Sequence, residues 1–183
     1  VRFMSNDATT NRCFISHRSS LYSIDEDIKD VLLSPALVVF LHQVRSNIDT
    51  MRQVMGGDMN RWRPHLKTTK LPLVWQQLVN ANVTHFKCAT TREARVFVEN
   101  AEKMITRSVE ERGDDSGTEH NNKILDLLIA YPLYGPSLVE VNRLSSVTPK
   151  CKVSMVVDSV KACQKMMVGG DGVSSSSPSS SSS

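Results

Sequence analysis

The stretch Val83-Thr84-His85-Phe86-Lys87-Cys88-Ala89-Thr90-Thr91-Arg92-Glu93-Ala94 decides the fold. Its first seven residues alternate weakly, with Thr84, Phe86 and Cys88 on one side and Val83, His85 and Lys87 on the other. That is the period of a strand. Thr90 and Glu93 then stand three apart as a capping box, in which hydroxyl and carboxylate each close an orphan backbone donor at a helix start. The helix they open carries Ala94, Phe97, Ala101, Met104, Ile105 and Ser108 on one face. Arg92, Arg95, Glu99, Glu102, Lys103 and Arg107 lie opposite, the division expected of a helix packed on a core. Glu99 precedes Lys103 in the favoured i, i+4 order.

Upstream, Leu71, Val74, Trp75, Leu78 and Val79 recur at helical spacing, with Pro72 in the first turn where its missing N–H costs nothing. Before that helix runs the basic segment Asp58-Met59-Asn60-Arg61-Trp62-Arg63-Pro64-His65-Leu66-Lys67-Thr68-Thr69-Lys70. Pro64 disfavours helix there. From Met59 to Arg92 the chain has no acid against Arg61, Arg63, Lys67, Lys70, Lys87 and Arg92, although the whole chain is only +3. Such a surplus attracts a polyanion, unless it is simply a solvated face. Trp62 either stacks on an unpaired base or fills a minor core.

Further upstream, Ser34 and Pro35 read as a helix start. Leu37, Leu41, Val44, Ile48, Met51 and Met55 form one face, ended by Gly56-Gly57. Residues 1–30 read as a polar arm containing Arg2, Arg12, His17 and Arg18. Downstream, residues 113–122 read as a surface loop. Lys123 to Tyr131 reads as a short helix with Ile124, Leu127, Leu128 and Tyr131 inward. Leu138 to Leu144 and Val153 to Asp158 read as two strands of an antiparallel hairpin joined by Ser145 to Lys152. Lys161 to Met167 reads as a terminal helical turn. From Gly169 onward the Gly/Ser/Pro composition predicts a disordered tail. The expected architecture is α+β: helices packed on a small mixed three-stranded sheet, with an extra N-terminal helix and a disordered Ser-rich tail. The divisions are 1–57, an extension with one amphipathic helix; 58–167, the α+β domain; and 168–183, the tail.

Catalytic constellations are scarce. His85 and Cys88 are three apart on a strand and so point to opposite faces, which argues against a nucleophile–base pair. Cys13 with His17, and Cys151 with Cys163, are pairs without a second paired element at zinc spacing. The four cysteines are scattered and read as reduced thiols. There is no P-loop or GxGxxG. No catalytic residue, metal or cofactor is expected from this reading, and no apolar run reaches membrane-spanning length.

Residues 59–158 resemble the seventeenth protein of the bacterial large ribosomal subunit and its mitochondrial relatives. Met59-Asn60-Arg61 and His65 match the family's leader, and Ala89-Thr90-Thr91 its strand end. Ala94 and the run Ala101-Glu102-Lys103-Met104-Ile105-Thr106 match its second helix. Asn122-Lys123-Ile124 matches the start of its late helix, with Tyr134 near that helix's end. Val141-Asn142-Arg143-Leu144 and Lys152 to Asp158 stand in place of its hairpin. The first helix departs from the pattern, with Val74-Trp75-Gln76-Gln77 where the family has an arginine. The resemblance implies a non-enzymatic constituent of the large ribosomal subunit, mitochondrial because of its divergence and extensions. It would bind rRNA near the exit-tunnel face and touch neighbouring ribosomal proteins. The RNA-contacting residues would be Arg61, Arg63, His65, Lys67, Lys70, Lys87, Arg92, Arg95, Arg143, Lys150 and Lys152. The alternative is a non-ribosomal nucleic-acid-binding or helical adaptor domain.

Overall fold

Phe86 and Phe97 meet with ring centroids 4.7 Å apart, and Trp75 approaches Phe97 at 5.7 Å. This aromatic cluster fastens three elements together: the helix α3 (Pro72–Asn80), the strand β1 (His85–Cys88) and the helix α4 (Thr91–Glu110). The structure, a computed structural model, describes residues 23, 24, 26–110, 123–161, 163 and 164. The arm with Arg2, Arg12, His17 and Arg18, Cys13, the expected loop 113–122 and the Ser-rich tail lie outside the described residues.

The remaining elements are a short helix α1 (Glu26–Lys29), α2 (Leu41–Val54), β2 (Leu125–Ile129), α5 (Pro136–Ser145) and β3 (Cys151–Met155). Three-residue 3₁₀ turns lie at Met59–Arg61 and Leu66–Thr68. The hydroxyl half of the capping box forms as expected, the Glu93 N–H donating to Thr90 Oγ1 at 3.2 Å, while the Glu93 carboxylate reaches one residue further and accepts the Ala89 N–H at 3.0 Å. The helix α2 begins at Leu41 rather than at Pro35, and buries Leu41 and Ile48.

The sheet has the order β1-β2-β3, and both pairings are parallel. This corrects the mixed sheet and the hairpin expected from the sequence. The stretch Lys123 to Tyr131 is not a helix but contains β2, and Leu138 to Leu144 is not a strand but lies within α5. The physical reasons are local. Leu125, Leu127 and Ile129 are fully buried while Asp126 and Leu128 are not, a two-residue period that a short apolar run hides from helical pattern matching. Ile124 and Tyr131, expected inward, are 54% and 61% exposed. Pro136 at the first turn of α5 supplies a preset φ, and Val141 and Leu144, three apart, form its buried seam. Parallel strands need crossovers, and α4 and α5 are those crossovers.

The leader is a further strand-like piece. Trp62 and His65 have extended backbones. His65 bridges Lys87 in parallel sense, and the Lys87 N–H donates to the Pro64 carbonyl at 3.0 Å. Leader, α3, β1, α4, β2, α5 and β3 thus follow one another as successive β-α-β units. Spatial order equals chain order. The buried side of β1 and β2 faces α3, α4 and α5, with α3 packed on α4 and α4 on α5. Sequential parallel strands with helices on one face are wound in the sense of a β/α barrel. A doubly wound sheet would reverse direction and place helices on both faces.

Gln76 lies on α3, within the stretch where the ribosomal resemblance would place an arginine. It is 3% exposed, and its Nε2 donates to the Met104 carbonyl at 2.8 Å and to Asn80 Oδ1 at 2.8 Å. This position faces α4, where a cation would have to be desolvated.

Cys88 and Cys151 are buried on the helix side of the sheet, and burial pushes each thiol up to about 12. Cys163 is exposed. Since the thiolate is the nucleophile, alkylation at mildly basic pH should label Cys163 and spare Cys88 and Cys151 until denaturant is added. Peptide mapping checks this, and native labelling of Cys88 would contradict the buried sheet face.

Candidate anion-binding rim

The helix-free face of the sheet is polar. On it, His85, Asp126 and Lys152 lie side by side in register, and Lys87, Leu128 and Ser154 form the next row toward the carboxyl ends. Arg63 reaches over this face from the leader. One of its guanidinium nitrogens lies 2.6 Å from Asp126 Oδ1 and donates to the Phe86 carbonyl at 3.1 Å. The pair ties the leader to β2 across β1.

The loops after the strands form the carboxyl-end rim. After the leader come Lys67, in the Leu66–Thr68 turn, and Lys70, whose φ of +52° is unusual for a non-glycine residue. After β1 come Thr90 and the N-terminus of α4. After β2 come Tyr131 and Tyr134, and after β3 comes Asp158, which accepts a hydrogen bond from the Tyr134 hydroxyl. Lys70 Nζ lies 3.8 Å from Glu93 Oε1, a carboxylate that is almost wholly buried.

His65 is the electrostatic centre of the rim. Its pKa is lowered from 6.5, first by burial and then by the positive charges of Lys67 and Lys87, with Glu93 opposing. Its Nδ1 accepts the Lys67 N–H at 3.2 Å. His65, Lys67, Lys87, Lys70 and Glu93 therefore feel one another's charge or touch in a single corner, and cations outnumber the one carboxylate. Such a corner attracts an oxyanion.

The expected RNA-contacting residues divide sharply. Lys67, Lys87, Arg92 and Lys152 have no ion-pair or hydrogen-bond partner for their side chains among the described residues. His65 and Lys70 sit in the rim corner. Arg63 is held by Asp126, and Arg61 donates to the Met55 carbonyl at the end of α2 at 3.3 Å. Arg95 and Arg143 both bind Glu140, with contacts of 2.9 to 3.0 Å, and hold its carboxyl down to about 2. Lys150 leads into β3 at the opposite, amino end of the sheet. Sequence reasoning placed Glu93 only as a cap and missed Tyr134 with Asp158. Nothing in their local sequence marks the last two, because they meet through the parallel register of β2 and β3.

Among the described residues, no three His, Cys, Asp or Glu side chains group to hold a metal ion, and no helix is long and apolar enough to cross a membrane. The fold is helices packed on an open, three-stranded, all-parallel sheet, consistent with the expected α+β class, with a cationic corner at the carboxyl ends of the strands. Comparisons with protein-family models, with curated proteins and with solved structures find no match to this chain.

Proposed function

We propose that the chain is the ligand-binding part of a β/α-type protein whose site is the carboxyl-end rim. Its ligand would be a small molecule bearing a phosphate or carboxylate group. One observation carries this reading: Lys67 and Lys87 flank His65 at the carboxyl end of parallel strands, with Lys70 on the neighbouring Glu93. In parallel α/β folds, ligands and reacting groups sit at that end, because the loops there project from rigid strands. The extension from such folds to this one is an analogy of architecture, and the charge corner is the independent support. Lysine amines of this kind hold oxyanions, and they are also the groups that react with carbonyl compounds in enzymes.

His65 gives the reading a pH signature. A bound dianion favours the charged imidazole, so binding and protonation are linked. Affinity for sulfate, which does not itself titrate near neutrality, should rise as pH falls below the ordinary histidine value of about 6.5 and through the lowered pKa of His65. His65→Gln should flatten that dependence. Calorimetric titration at several pH values checks it, and a profile unchanged by the substitution would remove His65 from the site.

The sign for stability is the reverse. The folded-state pKa lies below the unfolded value of about 6.5, so the unfolded chain binds the proton more readily. The contribution of His65 is fully present above that value and is lost as pH falls through the folded pKa. A bound anion would offset that loss.

A second reading is favoured by the acid-free stretch from Met59 to Arg92 with its unpaired Lys67, Lys87 and Arg92. These would neutralise phosphates of large-subunit rRNA, as the ribosomal resemblance implies. The topology which that resemblance implied, with a late helix and a hairpin, is not the one observed, so the reading rests on charge. Under it, the protein co-sediments with large subunits in moderate salt, and Lys67→Ala lowers the salt dependence of RNA binding. Migration free of ribosomes would exclude it.

A further inference from the structure

An all-parallel sheet normally has both faces covered, yet the face bearing His85, Lys87, Asp126, Leu128, Lys152 and Ser154 is covered by no described helix. Among the described residues, no strand pairs with the outer edge of β3 or of the leader. At β3, Val156 N–H donates to Ile129 and Leu125 N–H donates to Lys150. This alternation turns the N–H groups of Val153 and Met155 away from β2, toward the outer edge. At the other edge the leader runs parallel to β1. The three strands and the leader, which joins β1 through the His65–Lys87 bridge, stand in sequential parallel order and match half the strand number of an eight-stranded β/α barrel.

We propose that two copies of this chain associate about a two-fold axis parallel to the strands, closing an eight-stranded barrel from two halves. The proposal does not need the anion reading, but it shares His65, which also lines the apolar groove used at each seam. A two-fold along the barrel axis brings β3 of one copy beside the leader of the other, in parallel, at two identical seams. This is a closed, self-complementary arrangement. The surfaces flanking the seams match. An apolar groove of about 400 Å³, lined by Val44, Ile48, Met51, Trp62 and Leu66 among others, lies between α2, the leader and α3. Past β3, the chain exposes Val156, Val157 and Val160, the last 75% exposed. Each seam sets these valines against the partner's groove. Inside the closed barrel, Leu128 and Ser154 share a row with Lys87, whose long side chain can carry its charge toward the carboxyl-end mouth, and Lys152 lies with His85 and Asp126 in the row nearer the amino ends. The carboxyl-end rim is then completed by the second copy.

Sedimentation equilibrium of the full chain at micromolar concentration tests this. A dimer is expected, with the amides of Val153 and Met155 protected from hydrogen exchange. Leu128→Glu places charge in the barrel interior but leaves a solvated face in a monomer. It should raise the dimer dissociation constant by more than about tenfold, expose both amides and leave the far-UV circular dichroism unchanged. If Leu128→Glu fails to fold, Ser154→Arg on the same face is measured for the same effects. A wild-type chain that stays monomeric overturns the proposal. So does a dimer unaffected by charge on this face.

Discussion

Phe97→Ala should destabilise the fold by about 3–5 kcal/mol, the range for removing a large aromatic from a closed core. Phe97 is completely buried and is the ring that both Phe86 and Trp75 touch. It therefore joins the sheet to both α3 and α4, and its loss leaves a cavity that neither helix can fill without leaving the other. Since domains are stable by about 5–15 kcal/mol in total, the variant should be near its folding limit. The fall should appear as a lower urea midpoint with an unchanged slope. A loss below about 1 kcal/mol would mean that the ring is not enclosed, and that the packing of α4 on the sheet is different.

The second large effect is on binding. The double variant Lys67→Ala/Lys87→Ala should weaken sulfate or phosphate binding by about a hundredfold. This follows from about tenfold for each charge-assisted contact, or roughly 1.4 kcal/mol apiece. Neither side chain makes an ion pair among the described residues, so their removal should leave stability within about 0.5 kcal/mol of the parent, as for other surface substitutions. Arg95→Ala/Arg143→Ala is the matched control. It removes the same charge from the Glu140 cluster on the helix side and should leave anion affinity within about twofold, once screening is allowed for. Equal losses in both double variants would show that only net charge matters.

Much of the first half of the domain is legible in residues alone. Thr90 caps the Glu93 N–H as expected, and the α3 and α4 seams bury most of the residues their spacing selects, Val74, Trp75, Leu78 and Val79 on α3 among them. These are local features, decided within a few residues of chain. The second half is not legible in the same way. The run around Leu125 to Ile129 is short enough to suit either a helix or a buried strand, and only its place between β1 and β3 decides. Once β2 is recognised as a strand, the region beginning at Gly135-Pro136 must be the crossover, and the hairpin disappears.

The site follows the same rule. The bases of the leader were visible as a charge run. Which of them are free was not, because Arg63 finds Asp126 at a sequence separation of 63 and Arg95 finds Glu140 at 45. A guanidinium already held by a carboxylate offers little to a ligand, so the cationic surface is smaller than the run suggests. It concentrates at Lys67 and Lys87 beside His65, with Lys70 drawn toward Glu93.

An amide ¹H–¹⁵N titration of the full chain with sulfate tests the carboxyl-end site most directly. Saturable shifts are expected at the backbone N–H groups of His65, Lys67, Lys70, Lys87 and Thr90, with the amino-end residues Lys123 and Lys150 unmoved. Shifts absent at the rim, or spread evenly over lysines at both ends of the sheet, would contradict a ligand site at the carboxyl ends of the strands.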